Sequence, residues 1–217
     1  MKIRIVIPLW KRPLVTRFCF DGLVKLIRET KHELKVTCVI SEKYYEVVCK
    51  AYGFDFVYAE NNPLGAKINT GIIHSLTNEY DYLMMMNSDD IIKAELLDKY
   101  YEPFFESLNP FFGIDKVTYV NFDTKEAREF SYEYTVLGIG KCIRRDIVLS
   151  MKGSLYPERL NKCLDDNMMD IMISNKVYPS FAKYEGQLAM DFKSETNIWP
   201  WSKFKNRGTA VCYKHEQ

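Results

Sequence analysis

The chain has 217 residues, 47% of them apolar and 27% charged, with a formal net charge of +1. That is ordinary globular composition, enough for one large domain or two small ones, and it excludes disordered and collagen-like chains. No uncharged apolar stretch approaches the ~18 residues a membrane helix needs, and near-neutrality argues against bulk attraction to nucleic acid or anionic lipid.

Ile3–Ile7 is a short β-branched run ending at Pro8 and reads as a buried strand, which leaves no room for a secretory leader at Met1. Pro13 is placed to open a helix whose apolar face (Leu14, Phe18, Leu23, Leu26, Ile27) runs to about residue 30. Leu34–Ile40 is a second strand, Tyr44–Tyr52 a helix closed by Gly53, and Phe54–Tyr58 a third strand. Asn61–Gly65 is a loop, Ala66–Leu76 a helix, and the wholly apolar Tyr82–Met86 a central strand. Such alternation predicts an α/β fold with a mostly parallel sheet and helices on both faces, and ligands in such sheets bind at the carboxyl ends of the strands. Farther on, residues 94–106 read as a helix, Phe111–Phe122 and Phe130–Ile139 as strands, and Arg144–Met151 and Leu164–Ile173 as short helices. No linker or repeat divides the chain, so residues 1–217 are expected to share one core.

Charge is unevenly spread. Residues 1–50 carry 11 Lys/Arg against 5 Asp/Glu, and residues 51–110 carry 3 against 10. Six scattered cysteines, mostly among apolar neighbours, predict buried thiols in a reduced, cytoplasmic protein. The three histidines are far apart in sequence, against a Cys/His zinc site.

The acidic middle surrounds Asn87-Ser88-Asp89-Asp90, directly after the apolar strand. Adjacent carboxylates at a strand's carboxyl end call for a cation, and Mg²⁺ or Mn²⁺ with phosphate oxygens fits. The alternative is that Asp89 or Asp90 caps a following helix. Pro8, Trp10 and Arg12 follow the first strand and read either as a nucleotide-approaching loop or as a helix-opening turn. Gly65 permits close backbone approach, and Lys67 sits in a first helical turn, where a cation makes sense beside an anion. Asp165, Asp166 and Asp170 place three carboxylates on one short segment, a source for a general base or a solvated helix start. Trp199 and Trp201 read as a sugar or base platform, or as core; Lys203, Lys205 and Arg207 follow them. His215 is a further candidate metal ligand. Gly-rich dinucleotide and P-loop signatures, a nucleophile elbow and a deaminase signature are all missing.

Taken in order, the motifs are I-P-x-x-x-R-P, N-x-x-G-x-x-x-N-x-G, an apolar strand ending in x-S-D-D, G-I-G…R-R-D, and a D-D helix start. This set, over about residues 3–175, resembles GT-A fold glycosyltransferases of the family 2 type. The resemblance implies a Rossmann-like GT-A sandwich, with residues 1–110 binding a nucleotide-diphospho-sugar (UDP-linked by expectation) and residues 111–217 the acceptor. It implies that Pro8 and Arg12 lie beside the nucleotide, Ser41 or Glu42 near the base, and Lys67 near the diphosphate. Asp89 would be the second acid of D-x-D and bind Mn²⁺ or Mg²⁺, with Asp90 beside it. Gly138, Gly140 and Arg144 would lie in the acceptor-side segment, and Asp166, next to Asp165, would be the base of an inverting transfer. Two departures stand out: Asn87 replaces the first acid of D-x-D, and Asp165 replaces a glutamate.

The acceptor is expected to be a glycan, a small molecule or a hydroxymethylated pyrimidine in DNA, the last on account of the basic, aromatic tail. Two other readings compete: a sugar nucleotidyltransferase, which the glycine-free loop after the first strand disfavours, and a non-catalytic nucleotide-sugar-binding protein, which Asn87 favours. No oligomeric state is legible.

Overall fold

The computed structural model describes residues 1–132 and 135–213. The first half forms as the alternation predicts. β1 (Lys2–Leu9), α1 (Pro13–Glu29), β2 (Glu33–Ile40), α2 (Lys43–Tyr52), β3 (Asp55–Tyr58), α3 (Leu64–Ser75) and β4 (Tyr82–Met85) follow one another. β1 is buried on both faces. Ile3, Ile5, Ile7 and Leu9 enter a core with Phe20, Leu23 and Leu26 of α1. Val6 enters a second core with Ile68 and Ile72 of α3. This two-sided burial is why the strand reads as a continuous apolar run. Gly53 takes the left-handed conformation that closes α2, as predicted.

The remaining elements are β5 (Asp90–Ile92), a π-helical turn (Leu96–Tyr101) running into α4 (Glu102–Glu106), β6 (Phe111–Gly113), β7 (Lys116–Asn121), β8 (Ala127–Ser131), β9 (Lys141–Arg144), α5 (Arg145–Ser150), α6 (Leu164–Ser174), β10 (Ser180–Phe181), β11 (Ala189–Lys193) and β12 (Thr209–Val211). The large sheet has seven strands in the order β10-β6-β9-β4-β1-β2-β3. Every strand in it except β9 runs the same way, so the mostly parallel sheet is observed. Helices cover both faces, α1 and α2 on one and α3 and α6 on the other. Among the described residues, no helix is long and apolar enough to cross a membrane.

A second sheet of five strands, β12-β8-β7-β11-β5, is not legible in the sequence pattern. The expected strand Phe111–Phe122 breaks at Ile114-Asp115: its first part joins the large sheet and its second part the small one. The expected strand Phe130–Ile139 ends at Ser131, where the Tyr132 N–H turns to the Asp115 carbonyl. The helix that Asp89 or Asp90 would have capped does not begin there. The chain enters β5 instead, which pairs antiparallel with β11 across 100 residues of sequence, so that Asp90 stands directly opposite Asp191.

Candidate active site

The loops at the carboxyl ends of β1, β2 and β4 converge on one acidic cluster. After β1 the chain passes through two consecutive left-handed, non-glycine residues, Lys11 (φ 54°) and Arg12 (φ 55°). Such conformations are strained and persist only where the surroundings over-determine them. Glu42 accepts the Lys11 N–H at 2.9 Å, and the Tyr45 hydroxyl donates to the Lys11 carbonyl. The turn aims Arg12 at the end of β4, where it donates to Asp89 Oδ2 and Ser88 Oγ, both at 2.8 Å.

Asp89, Asp90 and Asp191 are all buried, and each offers an oxygen within 4.8 Å of the others. Asp89 Oδ2 also accepts from the Asn197 side chain at 2.5 Å. Lys193, two residues along β11, donates to Asp191 Oδ2 at 2.6 Å and stands over the Tyr119 ring. The Asn87 N–H donates to Asp90 Oδ2 at 2.5 Å. Asp90 Oδ1 and Asp191 Oδ1 are buried with no hydrogen-bond partner.

Like charges directly opposite on antiparallel strands repel, and burial strengthens the repulsion. Burial pushes the Asp90 carboxyl well up, with Asp191 and Asp89 adding to it. Burial likewise raises Asp191, to about 7, against the pull of Lys193. At Asp89 burial also acts upward, but Arg12 and Lys193 outweigh it and hold this carboxyl below its ordinary value. The three carboxylates and two bases leave one negative charge uncompensated. A proton or a divalent cation supplies it. Three carboxylates with oxygens within 4.8 Å of one another, two of them carrying an unpartnered oxygen, are a donor set a hard cation takes, so these residues fit Mg²⁺ or Mn²⁺.

Lys67 is buried at the tips of β1 and β2 rather than open to a ligand. Its ammonium donates to the Leu9 carbonyl at 2.5 Å, Ser41 Oγ at 2.7 Å and Asn61 Oδ1 at 3.0 Å. An ammonium has three N–H donors, so none remains for a diphosphate. Burial lowers its pKa to about 8. Lys67 is thus a strut between loops, which corrects the expectation drawn from its place in α3. Gly65 is corrected too: a side chain there would collide with the Pro157 carbonyl, and the Gly65 N–H donates to the Leu160 carbonyl. Its space is filled by the chain itself. Pro8 is half-buried near the end of β1, and Trp10 is exposed with the Lys11 ammonium 4.3 Å from its ring centroid.

On the acceptor side, Gly138 faces Asp165: a Cβ there would lie 3.0 Å from the carboxylate. Asp165 accepts from Lys141 at 2.7 Å, and the exposed Asp166 accepts from the Thr135 hydroxyl at 3.2 Å. Gly140 is a left-handed turn into β9 packed on Tyr101 and Ile92, so its role is structural. Arg144 is misplaced by the sequence reading. It lies opposite Tyr82 at the amino end of β4, away from the cluster, and pairs with Asp146. Trp201 is core, 5% exposed, whereas Trp199 is 48% exposed with Lys162 near its ring. His215 lies outside the described residues.

Sequence reasoning missed Asp191, Lys193, Asn197 and Lys141. The signal for Asp191 and Lys193 was a pair of charges in the otherwise apolar Ala189–Lys193 segment, which forms a wholly buried strand.

No family model matches the sequence, and no curated protein sequence matches it. Solved structures do. S. aureus TarS residues 1-349 in complex with UDP-GlcNAc is 16% identical with a TM-score of 0.60, covering 91% of this chain and 60% of that one. The mannosyltransferase PcManGT from Pyrobaculum calidifontis, in complex with GDP-Man and Mn²⁺, is 10% identical with a TM-score of 0.63, covering 96% of this chain and 65% of that one. The chain therefore spans about three fifths of the TarS 1-349 chain. Identities this low speak for the fold, and that fold is the one of GT-A-type glycosyltransferases.

Proposed function

We propose that the chain is a glycosyltransferase, moving one sugar from a nucleotide-diphospho-sugar to an acceptor hydroxyl with inversion and with a divalent cation. The observation that carries the reading is the buried Asp89, Asp90 and Asp191 cluster with two unpartnered oxygens, at the carboxyl end of β4 in a GT-A fold. These three residues would hold Mn²⁺ or Mg²⁺, which when bound would neutralise charge on the departing diphosphate. Arg12 orients Asp89, and Lys193 orients Asp191. Residues 1–110 would supply most of the nucleotide-sugar side, and residues 111–217 the acceptor side together with Asp191. Asp166, exposed beside Gly138 and Asp165, would take the proton of the attacking hydroxyl. Asn87, exposed, would hydrogen-bond the ribose without adding charge.

The experiment is thermal unfolding against nucleotides and nucleotide sugars with and without Mn²⁺, followed by nucleotide release. UDP-GlcNAc and GDP-mannose come first, because the similar structures hold them. Ligand at 100 times its Kd adds about 2.7 kcal/mol, or roughly 5–10 °C for a domain of this size. A metal-dependent rise with one sugar nucleotide supports the reading and names the sugar; no rise with any would overturn it. One observation favours a polyanionic acceptor such as hydroxymethylated DNA: Trp199, Lys203, Lys205 and Arg207 are all exposed along one segment. Binding to such DNA that falls steeply with salt tests this.

A further inference from the structure

Lys141 is the residue the mechanism leaves unexplained. It opens β9 opposite Met85, at the carboxyl end of β4. It is 0% exposed, and its surroundings are the core that holds Met85, Val136, Tyr156 and Met168. Its ammonium lies 3.7 Å from the Met168 sulfur and 5.9 Å from the Tyr156 ring centroid. Among the described residues its one ion-pair partner is Asp165, at 2.7 Å. Stability does not account for this arrangement. Only the lysine end of this pair is buried; Asp165 is 42% exposed, so the ammonium bears a desolvation cost that its half-exposed partner repays in part, and methionine would fill the same space without a charge.

What the lysine does that methionine cannot is grip the first turn of α6. That turn lacks the usual clamp. Its N-cap, Cys163, is left-handed and makes no side-chain capping hydrogen bond. Four N–H groups at a helix start go without intrahelical partners, so an uncapped first turn frays. Lys141 pins it from below through Asp165. Asp166, the next residue, is thereby presented outward, where among the described residues it accepts from the Thr135 hydroxyl. The two adjacent acids are not equivalent: one is anchored on a buried cation, the other is exposed to solvent.

We infer that Lys141 is a positioning residue which, through Asp165, fixes the first turn of α6 so that Asp166 faces the reacting hydroxyl. The catalytic half of this inference rests on the transferase reading; the anchoring half does not. D165N alone leaves a buried ammonium with no opposite charge beside it and risks misfolding, so the informative variants are K141M and K141M/D165N.

Hydrogen exchange of peptides spanning residues 161–172 is measured for the whole chain, alongside thermal unfolding. In K141M, exchange of the first turn of α6 is expected to quicken at least 10-fold, with β1, β4 and the melting temperature unchanged. Unchanged exchange in α6, or loss of protection throughout the chain, would overturn the anchoring. Nucleotide release from UDP-GlcNAc and GDP-mannose with Mn²⁺ tests the second half. K141M should lower kcat at least 10-fold with KM within twofold of wild type, and adding D165N should change neither further. A further 10-fold loss on adding D165N would make Asp165 an acting group in its own right and overturn the division of labour. A wild-type chain that releases no nucleotide overturns the transferase reading and with it the catalytic half, while the exchange result still decides the anchor.

Discussion

Asp191→Asn is expected to stabilise the metal-free protein at neutral pH while removing its response to Mn²⁺. Asp191 is moved from 3.8 to about 7, by burial first, against the pull of Lys193 and with Asp89 adding to the rise. The folded chain therefore keeps a proton that the unfolded chain releases near pH 4. Stability from this group is complete below about pH 4 and is lost as pH rises through 7. At about 1.4 kcal/mol per pH unit, the ceiling is about 4 kcal/mol. Asp90 stands opposite and titrates with it, so about half of that, roughly 2 kcal/mol, is the working figure for one substitution. For a chain of this size that is roughly 4–8 °C. The asparagine oxygen can still accept from Lys193, and Lys193 keeps Asp89 as a nearby opposite charge. The assay is thermal unfolding from pH 4 to 8 in EDTA and again in Mn²⁺. Comparing variant with wild type cancels the carboxylates that Asp191 does not touch, and leaves Asp191 together with its coupled neighbour Asp90. Wild type should fall below D191N as pH rises, and Mn²⁺ should raise wild type alone. A variant-minus-wild-type difference that is flat across this range, or an equal Mn²⁺ response in D191N, would refute the argument that these carboxylates are poised for a cation.

Asp166→Asn should lower nucleotide release about 10²–10⁴-fold with binding of the sugar nucleotide retained, read by comparing turnover with thermal shift. Gly65→Ala should be strongly destabilising, because the new methyl meets the Pro157 backbone rather than a side chain that can move aside; unfolding in urea checks it. Trp201→Ala should lose about 3–5 kcal/mol by opening the core, whereas Trp199→Ala should stay within about 0.5 kcal/mol of wild type in the same measurement. Arg144→Ala should leave sugar-nucleotide binding unchanged, since Arg144 lies at the far end of the sheet.

What was legible in the sequence follows from where information is local. β1, β2 and β4 announce themselves because they are largely buried apolar runs, and β3, exposed or half-buried along its length, is bracketed by Gly53 and the Asn61–Gly65 loop; each crossover is short, so period and punctuation suffice. Asp89 and Arg12 were legible for the same reason: each follows a strand whose end could be read. The small sheet was not, because apart from the β7–β8 hairpin its strands pair across long stretches of chain. β5 has three residues and pairs with β11, so no window around Asp90 contains its partner. Lys67 and Arg144 show the opposite failure. Their positions beside motifs were read correctly, but a side chain's direction depends on which acceptors surround it.

Asp191 joins the two lessons. In sequence it is one acid in an irregular tail; in the fold it stands across from Asp90 and completes the cluster. Asn87, at the first position of D-x-D, brings no charge to a metal. The structure places a third carboxylate from the other half of the chain in the same space, so the site does not depend on position 87 for its charge. Asn87 instead contributes its backbone N–H to Asp90, leaving its side chain exposed. Restoring an acid with Asn87→Asp would add a fourth carboxylate beside three that already repel. Metal-free stability should then fall as pH rises above the ordinary aspartate value of about 4, which unfolding in EDTA would show, while Mn²⁺ should offset the loss. A variant as stable as wild type at pH 8 without metal would mean that position 87 is too well solvated to feel the cluster, and that Asp89, Asp90 and Asp191 form a closed electrostatic unit on their own.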